Sequence, residues 1–111
     1  MTGADWGTVT VRPGDPIKLG FVAALSGEYA GLGIDEQRGV ELAVEDMSQV
    51  KGFPVQVQVE DDGCSADGAT AAARKIAADP QIVGVVGHLC SNASVPASTV
   101  YEQSRIVMIS P

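Results

Sequence analysis

The 111-residue chain reads as an α/β domain, a three-layer, doubly wound parallel sheet of the Rossmann-like or flavodoxin-like kind with four core strands in the order 2-1-3-4. Three observations predict this. Apolar runs of strand length alternate along the chain with segments of helical length, the pattern of repeated strand-helix-strand units. Two of the runs, residues 17–24 and 82–87, are apolar with little alternation, as in strands buried on both faces. A third, Val55-Gln56-Val57-Gln58-Val59-Glu60, alternates strictly, as in an edge strand with one wetter face. The most favourable arrangement therefore sets this second strand outside the first and the third strand on the first's other side.

The elements follow in order. Thr8-Val9-Thr10-Val11, cut off by Pro13-Gly14, is a short edge strand or an arm, so residues 1–15 stand apart from a body over 16–111. The first strand occupies 17–24, and Ser26-Gly27 with Gly31-Leu32-Gly33 makes a polar loop. From Ile34 to about Lys51, Val40, Ala43, Val44, Met47 and Val50 recur at spacings of three and four while Glu36, Arg38, Glu41 and Glu45 fall elsewhere, which predicts an amphipathic helix closed by Gly52. The second strand is 55–60. Ser65 or Asp67 caps an Ala-rich helix running to Ala78 and ended by Asp79-Pro80. The third strand is 82–87, a third helix runs from Ser94 to about Gln103 with Pro96 in its first turn, and Arg105 to Ser110 forms the fourth strand. Nothing repeats internally.

Composition removes several function classes. With 14 acidic residues against 7 basic ones the net charge is −7, and the scattered Lys and Arg offer no footprint for nucleic acid. No apolar run approaches the roughly 20 residues needed to span a bilayer as a helix. Met1-Thr2-Gly3-Ala4-Asp5 has neither the basic start nor the apolar stretch of a secretory signal, so the protein is cytosolic or its signal has been removed.

In such a sheet the switch point lies between strands one and three, and ligands bind above the strand C-termini there. The loops that flank it are 25–33 and 88–92. A polar loop opening a helix presents free N–H groups to an anion, so the Ser91 hydroxyl, with the N–H groups of Asn92 and Ala93 or Ser94, forms a candidate cradle. The plainer reading of Ser91 is an N-cap serving its own helix. Ser26 adds a second hydroxyl or simply closes a turn. Gly31 and Gly33 make no phosphate loop, because the Lys that would follow is absent. His88 lacks an evident carboxylate partner other than Asp62, and no G-x-S-x-G elbow surrounds Ser91, which argues against a serine hydrolase. Asp61-Asp62 reads as a loop-fixing pair rather than a general acid and base.

The two cysteines leave alternatives open. Cys64 and Cys90 follow strands two and three at the same sheet edge, about two strand spacings or roughly 9.5 Å apart, so loops leaning inward would bring them to the roughly 5.5–6 Å a disulfide needs. A bridge would stabilise by roughly 3–4 kcal/mol and would imply an oxidising compartment and a removed signal. The alternatives are two buried free thiols or a thiol oxidoreductase pair. Two cysteines and His88 without a fourth ligand at metal spacing make no zinc site, and nothing calls for a cofactor.

Ile17-Lys18-Leu19-Gly20 through Ala24-Leu25-Ser26-Gly27, Gly39-Val40-Glu41-Leu42-Ala43, Glu60-Asp61-Asp62-Gly63-Cys64, Val86-Gly87-His88-Leu89-Cys90-Ser91 and Met108-Ile109-Ser110-Pro111 occur in an order that resembles the N-terminal lobe of type I periplasmic binding proteins, in the leucine/isoleucine/valine-binding branch. The resemblance runs from about Pro16 to the end. It implies a non-enzymatic, bilobed solute receptor of an ABC importer that clamps a small amino acid, or a related carboxylate or amide, and delivers it to a membrane permease. It places the protein in the periplasm or outside the cell, free or on a lipid anchor. By the same resemblance Cys64 and Cys90 are bridged, Ser91 holds the ligand α-carboxylate, and Leu89 and Cys90 border the side-chain pocket. Leu32 matches a position where this branch often has an aromatic cover, and a Leu there favours a ligand of different size or shape. Pro111 closes the fourth strand, so the next binding loop, the hinge and the second lobe fall outside the chain. A lone lobe of this kind leaves the sheet face over strands three and four uncovered, and the expectation is weak or no ligand affinity together with self-association. The competing classes are a ligand-sensing ectodomain of a receptor or regulator on the same fold and, further off, a hydrolase at Ser91 or a thiol oxidoreductase.

Overall fold

Ile17–Ala23 (β1) is the central strand of the molecule, flanked in parallel by Phe53–Asp61 (β3) and Ile82–Gly87 (β4), and β4 pairs in parallel with Val107–Ile109 (β5). The computed structural model describes residues 7–111. The start of the expected arm, and with it the leader reading of Met1 to Asp5, lies outside the described residues. Residues 7–16 form no strand.

The sheet has five strands in the order β2-β3-β1-β4-β5. Its four parallel members keep the expected order, and the addition is Gln49–Val50 (β2), which pairs antiparallel with Pro54 and Phe53. The first helix, Ala30–Asp46 (α1), therefore starts earlier and ends earlier than its apolar spacing predicts. Gly52 does not close it. Lys51 and Gly52 have φ of 52° and 85°, the left-handed pair of a two-residue hairpin turn whose twist matches that of the strands it joins. Because of β2, the lower end of β3 is no longer the sheet edge.

The remaining elements are Ala66–Ala77 (α2) and Ser91–Ser104 (α3). Ser65 caps α2 as expected, its hydroxyl accepting the Gly68 N–H at 3.0 Å. The start of α3 is corrected from Ser94 to Ser91, with Cys90 in the N-cap position and making no side-chain cap bond. Pro96 is thus the sixth helical residue rather than a first-turn one, and it removes the N–H that the Asn92 carbonyl would otherwise accept. The fourth core strand is shorter than expected because Arg105 takes a left-handed C-cap conformation, φ 58° and ψ 44°.

The two faces of the sheet are packed unequally. On one side Val22, Ala69, Ala72, Ala73, Ile76, Ile82, Val85, Ala93, Ala97 and Tyr101 form one buried cluster. The small side chains of α2 and α3 let both helices lie close against the strands and against each other. On the other side α1 buries only Gly33. A Cβ on Gly33 would collide with the Ala24 carbonyl, so this glycine sets the distance at which α1 crosses β1. Below that contact a crevice of about 260 Å³ opens between α1 and the sheet, lined by Phe21, Val40, Val44, Val57 and Val59 among others. Met47, expected to face the sheet, is exposed, whereas Glu36, expected on the polar face, is half-buried. The face over β4 and β5 on this side stays open, with Val107 58% and Ile109 64% exposed.

Candidate functional site

β1, β3 and β4 all end at one edge of the sheet, and the loops that leave them form the candidate site. The loop after β3 is fixed by its own two carboxylates. Asp61 Oδ1 accepts the Leu25 N–H at 2.8 Å and the Gly63 N–H at 2.9 Å, which ties the loops after β1 and β3 together. Burial works to raise the Asp61 carboxyl, but donation from the Ser26 hydroxyl and from the Leu25, Gly63 and Ser26 amides outweighs it and holds the group below its ordinary range. Asp62 Oδ1 accepts the Cys64 N–H at 2.8 Å. The loop-fixing reading of this pair is the one the geometry supports.

Cys64 and Cys90 are bonded to each other, with Cα atoms 5.5 Å apart. The distance between strand ends is closed by the loops, as both lean over the end of β1. Asn92 reinforces the bridge, its Nδ2 donating to the Cys64 carbonyl at 2.9 Å. β4 approaches β1 so closely at its end that a Cβ on Gly87, whose φ is 135°, would collide with the Val22 carbonyl. This crowding delivers His88, and then the helix start, directly above the central strand.

An open cleft of about 510 Å³ lies in front of the disulfide, lined by Glu28, Tyr29, Gly63, Cys64, Cys90, Ser91 and Asn92. Of the residues singled out in the sequence it brings together Cys90, Ser91 and Asn92. Ser26 is exposed with its hydroxyl on Asp61 and does not line it, Leu89 is half-buried outside it, and Leu32, 57% exposed on α1, does not line it either. The aromatic wall is supplied instead by Tyr29, which is 45% exposed and three residues earlier. Neither Glu28 nor Tyr29 was singled out beforehand, and the only signal available was their place in the loop after Ser26-Gly27.

The helix start is narrower than expected. The Ala93 and Ser94 N–H groups both return to the Cys90 carbonyl, at 3.0 and 2.8 Å. The N–H groups of Ser91 and Asn92 are the two for which the helix has no carbonyl of its own. They, with the exposed Ser91 hydroxyl, carry the positive end of α3 into the cleft.

Behind the cleft lies a buried polar chain. His88 Nδ1 and Asp62 Oδ2 are 2.7 Å apart, and His88 Nε2 and the Tyr101 hydroxyl 2.9 Å. All three side chains are almost wholly removed from solvent. Burial, and then the charge of Asp62, push the Tyr101 hydroxyl well above its ordinary range, so it stays protonated. His88 thus has the carboxylate partner that the sequence made uncertain. Both its ring nitrogens are engaged away from Ser91, so His88 is not a base for that hydroxyl. On the α1 side, desolvation and then the charge of Asp62 raise the Glu36 carboxyl. Its Oε2 is buried with no hydrogen-bond partner. No cluster of three potential metal-ligating side chains occurs among the described residues.

Comparison with known proteins gives a consistent picture. A family model of periplasmic binding proteins matches residues 16–111. The Leu/Ile/Val-binding protein of Escherichia coli (strain K12) is 41% identical over 100 residues, which cover 87% of this chain and 27% of that protein. An amino acid binding protein of Pseudomonas aeruginosa is 31% identical over 98 residues, covering 86% of this chain and 26% of its own. Among solved structures, the branched-chain amino acid transporter substrate binding protein LivJ of Streptococcus pneumoniae, in complex with isoleucine, superposes with a TM-score of 0.82 at 27% identity, over 87% of this chain and 29% of that one. A solute binding protein of an R. palustris ABC transporter, in complex with benzoate, gives 0.78 at 25% identity, over 86% of this chain and 27% of that one. The chain spans about a quarter of the length of these relatives. Fold, order of motifs and sequence together make it a member of the periplasmic binding protein family, in the branch of the Leu/Ile/Val-binding proteins.

Proposed function

We propose that this chain is the N-terminal lobe of an extracytoplasmic solute-binding protein of an ABC importer. It takes up a branched-chain type amino acid, or a related small carboxylate or amide, by seating the carboxylate on the start of α3, and a second lobe and a membrane permease complete the cycle. The observation that carries this reading is the pair of free N–H groups at Ser91 and Asn92, held into an open cleft by the Cys64–Cys90 bridge. Such a pair binds a carboxylate without a cationic side chain, and none of the seven cleft-lining residues is Lys or Arg. Tyr29 offers a flat apolar wall to the rest of the ligand. The disulfide fits the oxidising periplasm or cell exterior.

The test is an NMR-detected titration with L-leucine, L-isoleucine, L-valine, benzoate and leucinol, which lacks the carboxylate. Carboxylates should move the Ser91 and Asn92 amide resonances and leucinol should not, and Ser91→Ala should weaken the response roughly three- to tenfold, the worth of one hydrogen bond to a charged acceptor shared with two amides. If leucinol moves those amides as far as leucine does, the carboxylate reading is lost.

A further inference from the structure

We propose that Asp62, His88 and Tyr101 are positioning residues for the start of α3: their buried hydrogen-bond chain holds the Ser91 and Asn92 N–H groups in the direction in which a ligand carboxylate is met. The last step, toward the ligand, rests on the reading above.

The chain links three elements that the backbone does not otherwise fasten at this point. Asp62 comes from the loop after β3, His88 from the loop after β4, and Tyr101 from the C-terminal half of α3, ten residues beyond Ser91. With a neutral His88 ring, Tyr101 donates its proton to Nε2 and Nδ1 donates to Asp62; with a protonated ring both nitrogens donate, and the same two contacts are kept. Asp62 also takes the Cys64 N–H through its other oxygen. The result runs without a gap from Tyr101 through His88 and Asp62 to Cys64, so the inner chain fastens the same two loops that the disulfide fastens outside.

The His88 backbone is held as firmly as its ring. Its carbonyl accepts the Ser94 hydroxyl at 2.8 Å and the Ser110 hydroxyl at 3.2 Å, one from the first turn of α3 and one from the segment after β5. Ring and carbonyl together leave the residue two places before Cys90 with no freedom to turn. The surrounding cluster is otherwise Ala, Val and Ile, residues that could have filled the space by themselves. Apolar filling would tolerate small rotations of α3, whereas a satisfied polar chain in a low-dielectric core admits one arrangement. None of the three side chains reaches the cleft, so the effect on a ligand passes through Ser91 and Asn92.

Tyr101→Phe, His88→Gln and His88→Leu, studied in the 111-residue chain with ¹⁵N-labelled histidine and backbone, test this. Tyr101→Phe keeps the ring and deletes the hydroxyl. We expect His88 Nε2 to lose its hydrogen-bonded shift, the Ser91 and Asn92 amides to move, and L-leucine binding to weaken about tenfold, or 1.4 kcal/mol. His88→Gln, with a donor and an acceptor of its own, should return the two amides toward their wild-type positions, and His88→Leu, of similar bulk, should not. His88→Leu doing as well as His88→Gln means that the residues only fill space and overturns the proposal, as do Ser91 and Asn92 amides that ignore Tyr101→Phe. Should His88→Leu fail to fold, Tyr101→Phe still decides. Amides that move in Tyr101→Phe with no fall in leucine affinity overturn the proposal alone. Wild-type Ser91 and Asn92 amides that leucinol moves as far as L-leucine does overturn the carboxylate reading, and the last step of the proposal with it.

Discussion

Opening the Cys64–Cys90 bridge should cost this domain a large share of its stability while leaving the folded structure almost unchanged. The two residues are 26 apart in sequence, and constraining a loop of that size removes about 3.5 kcal/mol of unfolded-state entropy on the chain-entropy model. In the folded state the same loops keep the Asn92–Cys64 bond, the Asp62–Cys64 bond and the Asp62–His88 contact. The loss therefore falls on the unfolded chain, not on native geometry. The assay is urea unfolding of the oxidised protein against Cys64→Ala/Cys90→Ala. With an m-value of about 1.5 kcal/mol per molar, ordinary for a chain of this size, the midpoint should drop by about 2 M. The m-value should rise as well, because the released chain expands further. A midpoint shift below about 0.5 M, or a native amide spectrum altered well beyond the two cysteine loops, would refute the reasoning: the first would remove the entropic effect and the second the inner fasteners.

Further outcomes follow from the packing. Gly33→Ala should lift α1 off the sheet by collision with the Ala24 carbonyl and lower stability by about 2 kcal/mol, read as a fall in Tm of several degrees. Lys51→Asn should raise stability by about 0.5 kcal/mol, since Asn accepts the left-handed backbone of a type I′ turn more readily than Lys. Glu36 has a carboxyl raised above 4.5, so the folded state binds its proton more tightly than the unfolded state does. That contribution is complete below the unfolded value and is lost as pH rises through the folded one. Glu36→Gln should accordingly raise Tm at pH 7 and make no difference near pH 4; an advantage that persists unchanged at pH 4 would rule out this cause. The open face over β4 and β5 should make the chain associate, with light scattering giving a mass above that of a monomer and Val107→Lys/Ile109→Lys returning it to one. A wild-type monomer at high concentration would remove that expectation.

Much of the fold was legible because the informative segments were strongly patterned. Ile82–Gly87 and the Ser65-capped α2 stand where the sequence places them, since a run of Ile and Val interrupted only by Gly84 and an Ala-rich run between a cap and Pro80 admit few alternatives. The first helix misled for a physical reason. Val50 continues a three-and-four spacing and Gly52 suits a helix end, while Lys-Gly is a poor hairpin signal next to Asn-Gly. The helix and the hairpin therefore competed for the same residues, and pairing with Phe53 and Pro54 decided it. At α3, Pro96 argued for a late start because proline favours the first turn. Tertiary packing of Ala93 and Ala97 overrode that preference, and Cys90 took a cap position its side chain does not favour. In the site, Ser91, Asn92 and the cysteines were accessible from the sequence as a strand-to-helix junction. Tyr29 was missed because a loop side chain has no periodicity to reveal its direction. Tyr101 joins His88 only through the closeness of α3 to β4, which no spacing announces.

The unequal packing of the two sheet faces divides the labour of recognition. Ser91 and Asn92 ride on the layer where α2 and α3 share one core, and the hydrogen-bonded amides of that layer behind them should be among the slowest to exchange once the chain folds. Tyr29 sits at the head of α1, a layer that touches the sheet closely only at Gly33 and spans a crevice beyond it. α1 can therefore open locally, or shift along β1, without disturbing the other side. On the proposed function, the part of the ligand common to all amino acids meets the stiff layer and the part that differs between them meets the yielding one. A receptor built this way can change its preferred side chain by substitutions on α1 while the grip on the carboxylate stays untouched.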